Sequence, residues 1–403
     1  MDHHMQDDVL VIELSGRVDT NNADDTLHEV EGIIESTGAH KVELDCAGLS
    51  YISSAGLRVI VKLLKSLDEL RVTNASPEVY EIFSMTGFTL MMDVRRALRS
   101  LSVEGLELLG SGANGSVYRL APDEMVKAFR PGISLETIEA EREASRAAFT
   151  LGIPCAIAFD TVRVGEGYGT VYEMLNAATI TERICADPSS VDEYAHRSAE
   201  LLLELHALEV PDGVLQSAAL PYYRVLDKVA SDFSADELDL MRSAYDAIPP
   251  MNRFVHNDYH TRNIMESNGE LMLIDLGESG AGNPLFDLLH SCLVFQLIGT
   301  GGGQTHSDDE TSFIGISYGE LRRFWDAFTA TYCGDRGRAK RLCELLLPFA
   351  KLTYFVVSMA HPRLPLSMHE IYAGQVRDEV LPHIDEMRAS VDELLTFIPQ
   401  AAR

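Results

Sequence analysis

Positive charge is scarce in this chain: 33 lysine and arginine residues face 62 aspartates and glutamates, for a formal net charge of −29. That balance repels polyanions, so it excludes nucleic acid and anionic membrane as main partners, while a cationic substrate would be attracted. The six cysteines, at 46, 155, 185, 292, 333 and 343, never fall in C-x-x-C spacing. Their dispersal excludes a structural zinc site and suits a reduced compartment. The N-terminus carries Asp2, Asp7 and Asp8 and lacks the basic flank and apolar core of a signal peptide. The most apolar late run, Leu345 to Met359, is short and contains Pro348 and Lys351, so it reads as a buried helix and not a membrane span. A cytoplasmic protein is expected. Internal repeats are absent, and no Pro/Ser-rich tether marks the junction near Ser100 to Gly105. With 46% apolar residues in 403, two close-set domains, 1–102 and 103–403, are the expectation.

What is present is a series of oxygen-bearing side chains. Residues 256 to 263 read His-Asn-Asp-Tyr-His-Thr-Arg-Asn, then Ile274-Asp275-Leu276-Gly277 follows, then Asn283-Pro284-Leu285-Phe286-Asp287. Asp258 stands where a substrate hydroxyl would arrive, as catalytic base. Asn263 and Asp275 follow at the spacing that lets both hold Mg²⁺ on ATP phosphates. Phosphoryl transfer asks little covalent chemistry of a protein, because its charge spreads over oxygens that metal ions and a lysine neutralise.

A nucleotide-binding half should lie upstream, and Gly110, Gly112 and Gly115 within Leu109-Gly-Ser-Gly-Ala-Asn-Gly-Ser-Val-Tyr118 supply its first piece. A dinucleotide-binding loop would pass directly into a helix, whereas Val117 to Leu120 is β-rich and a Pro-Asp-Glu turn follows. A glycine-rich hairpin over triphosphate is the better picture. Lys127, in the apolar strand Met125 to Phe129, is the candidate for the α/β-phosphates. Leu135 to Leu151 reads as a helix whose Glu143 is expected to pair with Lys127, with Glu139 as competitor. Tyr172-Glu173-Met174-Leu175 ends a strand, and the backbone of Glu173 and Leu175 is the expected adenine-binding hinge.

These motifs resemble the aminoglycoside phosphotransferase and choline kinase branch of the protein-kinase-like fold. The catalytic loop has the H-x-D-x-H-x-x-N form, Asp275 is followed by Leu276-Gly277-Glu278, and the run through Asp287 is similar to the family's G-x-P-x-x-D-L segment. Leu201 to Leu208 is similar to the helix that precedes the family's catalytic loop. The resemblance covers about residues 104 to 360 and implies a two-lobed kinase, with a small lobe at about 103–174 and a large lobe at about 175–403. Asn257 stands where glycine is common, and Thr261-Arg262 replace the frequent Pro-Gly. His256 and His260 are expected to hold loop carbonyls, and Asp287 to cap a helix and brace the catalytic loop. The loop from Gly299 to Thr311, with Asp308-Asp309-Glu310, reads either as a substrate lid or as a flexible insertion.

The first hundred residues carry a second signal. Val9 to Leu14 reads as a strand, Ala23 to Ser36 as a helix, Lys41 to Asp45 as a short strand and Ser54 to Leu67 as a helix, an α/β layer pattern. Leu44 to Arg58, with Ser53-Ser54-Ala55-Gly56-Leu57, resembles the signature loop of STAS domains, the anti-sigma-factor antagonist family. Phe83 to Phe88 is similar to that family's closing helix and turn. The resemblance implies Ser54 as phosphoacceptor and an anti-sigma factor or protein kinase as partner, while a hydroxyl there equally makes an N-cap. Ser53 stands where the family often has aspartate.

The expected fold class is thus an α/β STAS-like domain followed by an α+β two-lobed protein-kinase-like domain. The expected function is an ATP- and Mg²⁺-dependent phosphotransferase acting on a hydroxyl of an amino alcohol, aminoglycoside, sugar or protein serine. The rival is a nucleotide-sensing regulatory protein of a partner-switching system with little or no catalysis.

Overall fold

A computed structural model describes residues 1–112, 114–298, 307, 308, 310–361 and 365–399. The chain divides into two compact units, Met1–Ser102 and Val103–Arg403.

In the first unit, β1 (His3–Gln6), β2 (Val9–Val18), β3 (Lys41–Ile52), β4 (Glu69–Ala75) and β5 (Asp93–Arg96) form one sheet in chain order. β1 runs antiparallel to β2, and the remaining neighbours are parallel. The parallel steps are made by crossovers through α1 (Ala23–Thr37), α2 (Ser54–Ser66) and α3 (Pro77–Met85); a short strand β6 (Arg99–Leu101) ends the unit. Alternating Leu10, Ile12 and Leu14 on β2, with Leu44 and Val72, pack under Val30, Ile60 and Phe83. β3 is much longer than the strand expected at Lys41 to Asp45. Irregularities in its pairing with β2, between Glu13 and Ser15 and again between Gly16 and Arg17, let the ladder continue to Ile52.

The second unit begins with β7 (Leu108–Ser111), β8 (Gly115–Arg119), β9 (Glu124–Phe129), α4 (Leu135–Thr150), β10 (Ala158–Val164) and β11 (Gly167–Glu173). β10, β11, β9, β8 and β7 lie side by side in that order, all antiparallel. β7 and β8 are the glycine hairpin. A Cβ on Gly115 would stand 2.2 Å from the carbonyl oxygen of Ala128, so the close strand approach there requires glycine, whereas one on Gly110 or Gly112 would meet only open space. The rest of the unit runs through β12 (Ala178–Thr179), α5 (Ile180–Ala186), α6 (Val191–Ala207), α7 (Leu220–Lys228), α8 (Ala235–Asp246), β13 (Arg253–Val255), β14 (Ile264–Ser267), β15 (Glu270–Leu273), β16 (Gly280–Gly282) and α9 (Leu285–Ser291). It closes with α10 (Tyr318–Cys333), α11 (Arg336–Met359), α12 (Leu366–Glu379) and α13 (Ile384–Leu394). α11 is long and apolar enough to cross a membrane, but 56% of its most apolar stretch is buried in this unit, among Phe324, Phe328 and the other core helices. Most of the expected lid, including Gly301-Gly302-Gly303 and Asp309, lies outside the described residues.

Candidate active site

The site is hung on one hairpin. β14 and β15 pair Ile264 with Leu273 and Ser267 with Glu270, which leaves Asn268 and Gly269 as a two-residue turn. Both turn residues have positive φ, 51° and 85°, the conformation that Asn-Gly favours and that matches strand twist. Asn263 precedes β14 and Asp275 follows β15, and the Ile274 amide donates to the Asn263 carbonyl at 3.0 Å. Two residues far apart in the motif are therefore neighbours at the open end of the ladder. Asp275 itself has φ 58°, a left-handed conformation that is costly outside glycine and is tolerated at functional positions.

Asp258 is fixed from both sides of its carboxylate. Asn263 Nδ2 donates to its Oδ2 at 2.7 Å, and His260 Nε2 lies 3.2 Å and His290 Nε2 3.5 Å from its Oδ1. The Arg262 amide donates to His260 Nδ1 at 3.2 Å, so the neutral imidazole carries its proton on Nε2 and donates it to Asp258. Burial pushes the Asp258 carboxyl up, but the hydrogen bond from His260, with His290 and His256 close by, outweighs it and holds the group well below the usual carboxylate range. Burial pushes the His290 imidazole down, against the pull of Asp258.

The lysine sits on β9 between paired neighbours Val117 and Thr170. Lys127 Nζ lies 2.6 Å from Glu141 Oε1 and 3.0 Å from Asp275 Oδ1. Burial opposes its charge, yet the two carboxylates together raise its pKa and keep it protonated. The partner is therefore Glu141, not Glu143 or Glu139. Helix phase decides this: Ile138, Glu141, Ser145 and Ala148 share the buried face of α4, whereas Glu143 is 60% exposed and bonded to Arg142 at 2.6 Å. Tyr172 OH adds a donor to Glu141 at 3.3 Å. A Cβ on Gly277 would come within 3.1 Å of the Glu141 side chain, so glycine after Leu276 makes room for this carboxylate.

The loop that carries Asp258 is braced from beneath. Asp287, fully buried, accepts the amides of His256 at 2.9 Å and Asn257 at 2.7 Å. Its Oδ2 also faces His206 Nε2 at 3.1 Å, and His206 Nδ1 faces Tyr332 OH at 2.7 Å. With the Nε2 proton committed to the carboxylate, His206 Nδ1 accepts from tyrosine, giving a directed chain from α10 through α6 to the loop. Asn257 has φ 64°, which explains an asparagine where glycine is common. His256 Nε2 lies 3.2 Å from the Ile274 carbonyl, as expected of a loop-holding histidine, but His260 reaches the Asp258 carboxylate instead of a carbonyl. His290 was not anticipated; it stands three residues after Asp287, one turn along α9, with no motif of its own.

At the expected hinge, β11 ends at Glu173, whose amide donates to the Ile157 carbonyl at 2.9 Å, and the Met174 amide donates to Asp123 at 2.9 Å. Leu175 packs with Met125 against Ala156, Ala158 and Tyr172. In the first unit, Ser53 and not Ser54 caps α2: its hydroxyl accepts from the amides of Ala55 at 3.1 Å and Gly56 at 3.4 Å. Ser54 is the first helical residue and is exposed, because an N-cap must have extended backbone, which Ser53 adopts at φ −93°, ψ 177°.

Residues 105–328, more than half of the chain, match the model of the phosphotransferase enzyme family. The chain belongs to that family. This phosphotransferase-family chain also carries an N-terminal STAS domain, matched over residues 1–101. Its STAS part is 36% identical over 92 residues to BtrV of Bordetella bronchiseptica, named as an anti-sigma factor antagonist, covering 22% of this chain and 78% of that protein. Among solved structures, the ADP-bound aminoglycoside phosphotransferase APH(2'')-Ib is 16% identical, with 75% of this chain and 98% of that one covered at a TM-score of 0.44. A choline/ethanolamine kinase family protein from Mesorhizobium loti is 18% identical, with 72% and 92% covered at a TM-score of 0.43.

Proposed function

We propose that residues 103–403 transfer the γ-phosphate of ATP, with Mg²⁺, to a hydroxyl group. The supporting observation is that the Asp258–Asn263 contact of 2.7 Å and the Lys127–Asp275 pair at 3.0 Å meet at the end of one hairpin. Asn263 turns its amide nitrogen into Asp258, which leaves the amide oxygen as a metal donor, and the Asp275 carboxylate is 38% exposed with Oδ1 on Lys127. Two oxygen donors suit an ion that keeps several waters and takes the rest of its shell from phosphates. When bound, Mg²⁺ neutralises charge on the phosphate oxygens. Lys127 adds a fixed positive charge that Glu141 and Tyr172 orient, while Gly110, Gly112 and Gly115 form the hairpin over the phosphates. The backbone of Glu173 and Leu175 receives adenine. Asp258, kept anionic by its imidazole neighbours, orients the acceptor hydroxyl and takes its proton as the new O–P bond forms.

The STAS domain serves in this reading as a docking module for an anti-sigma factor or a protein kinase, in the cytoplasm. Ser54, exposed at the first turn of α2, is its phosphoacceptor; helix amides and dipole favour a phosphate there. The test is ATP consumption against amino alcohols, aminoglycosides, sugars and hydroxy acids, with Asp258→Asn as control. Acceptor-dependent turnover lost in that variant supports the enzyme; nucleotide binding without turnover on any acceptor favours the sensor.

A further inference from the structure

We infer that the hydroxyl acceptor carries an anionic group, a carboxylate or phosphate, that Arg224 and Lys228 of α7 recognise; this rests on the phosphotransferase reading. The segment leading into α7 lies against the catalytic loop, because Asn257 Nδ2 donates to the Ala218 carbonyl at 2.9 Å and to the Glu278 carbonyl at 3.0 Å. Gln216 Nε2 reaches the carbonyls of Gly277 at 3.4 Å and Ser279 at 3.3 Å, and its Oε1 accepts from Arg224 Nη2 at 3.3 Å. The Arg224 guanidinium is thus tethered by a neutral side chain beside the segment that follows Asp275. Lys228 stands one turn further on the same helix, and both side chains are exposed.

Neither cation has a carboxylate partner within ion-pair distance among the described residues. The acid between them in sequence, Asp227, is bonded to Arg242 at 2.6 Å. Arg262, exposed in the catalytic loop, is likewise unpaired among the described residues. An anionic reactant needs a local positive field to approach a chain of net charge −29, and Arg224 and Lys228 supply one beside the segment that follows Asp275. Glu278, three residues after Asp275, is exposed. Desolvation pushes its carboxyl up, with Asp258 and Asp275, against the pull of Arg224 and Lys228. Bidentate recognition of carboxylate or phosphate is what an anchored guanidinium does well.

The experiment compares kcat/KM for matched acceptors: a sugar phosphate with its free sugar, a hydroxy acid with its amide, and choline and aminoglycosides as the aminated class. The expected result is a preference of about tenfold or more for the anionic member of at least one pair, removed in Arg224→Gln/Lys228→Gln through the acceptor KM, reduced in Arg224→Lys and retained in Lys228→Arg. A thermal melt of each variant separates loss of fold from loss of recognition. Turnover confined to aminated or neutral acceptors overturns this inference and leaves the phosphotransferase reading intact. An anionic preference that survives the double glutamine change also overturns it, and no turnover on any class overturns both.

Discussion

Glu141 and Glu143 are two residues apart on α4 and do different work. Glu141 is buried against Lys127, Tyr172 and Gly277, while Glu143 is a surface partner of Arg142. Glu141→Ala should therefore cost roughly 10²-fold in kcat/KM for ATP-dependent turnover by freeing the lysine to swing, whereas Glu143→Ala should stay within about twofold. Steady-state kinetics on both variants checks this; equal losses would mean that the ion pair is not what positions Lys127. Tyr332 offers a second residue-scale test, since its hydroxyl satisfies the buried His206 Nδ1 at 2.7 Å. Tyr332→Phe should lower unfolding free energy by about 1–3 kcal/mol, read from denaturant melts, because it leaves a buried acceptor unpaired. The choice of glutamate was open in sequence terms only until helix phase is used: Ile138 and Ala148 mark the buried stripe, and position 141 falls on it while 143 does not. His290 had no such signal, because its role depends on α9 bringing it across to Asp258.

At the scale of elements, the β14–β15 hairpin sets the separation of Asn263 from Asp275. Gly269→Ala at φ 85° should destabilise the hairpin by about 1–2 kcal/mol and reduce turnover more than binding of free nucleotide. An unchanged kcat would show that the hairpin's turn does not register Asn263 against Asp275. On α2, Ser53→Ala removes the cap and should cost about 1 kcal/mol of STAS-domain stability, while Ser54→Ala should be close to neutral. The grouping of Asp258, Asn263 and Asp275 was legible because these residues and His256 keep a local spacing, and the Asn268-Gly269 turn between them carries its own hairpin signal. The length of β3 was not legible, since it depends on irregular pairing with β2, and pairing partners lie outside any local window.

For the molecule as a whole, the division at Ser102 and the separate cores of the two units imply that Met1–Ser102 folds alone. The isolated fragment should unfold cooperatively on heating with native-like circular dichroism, and a gradual, uncooperative melt would contradict that. A charge of −29 further implies self-repulsion, so moderate salt should raise the melting temperature of the full chain. Two-domain organisation was legible because each part carries its own motif set, Ser53 to Leu57 in one and Gly110 to Asp275 in the other. What the acceptor is could not be read from those motifs, since Asp258, Asn263 and Asp275 in their proposed roles would serve any hydroxyl.

The most direct measurement is calorimetric titration of the full chain with a non-hydrolysable ATP analogue, with and without Mg²⁺. Binding should need the metal, weaken at least about tenfold in Lys127→Ala and in Asp275→Asn, and persist in Asp258→Asn. Binding indifferent to Mg²⁺ and to both changes would contradict a nucleotide site built on Lys127, Asn263 and Asp275.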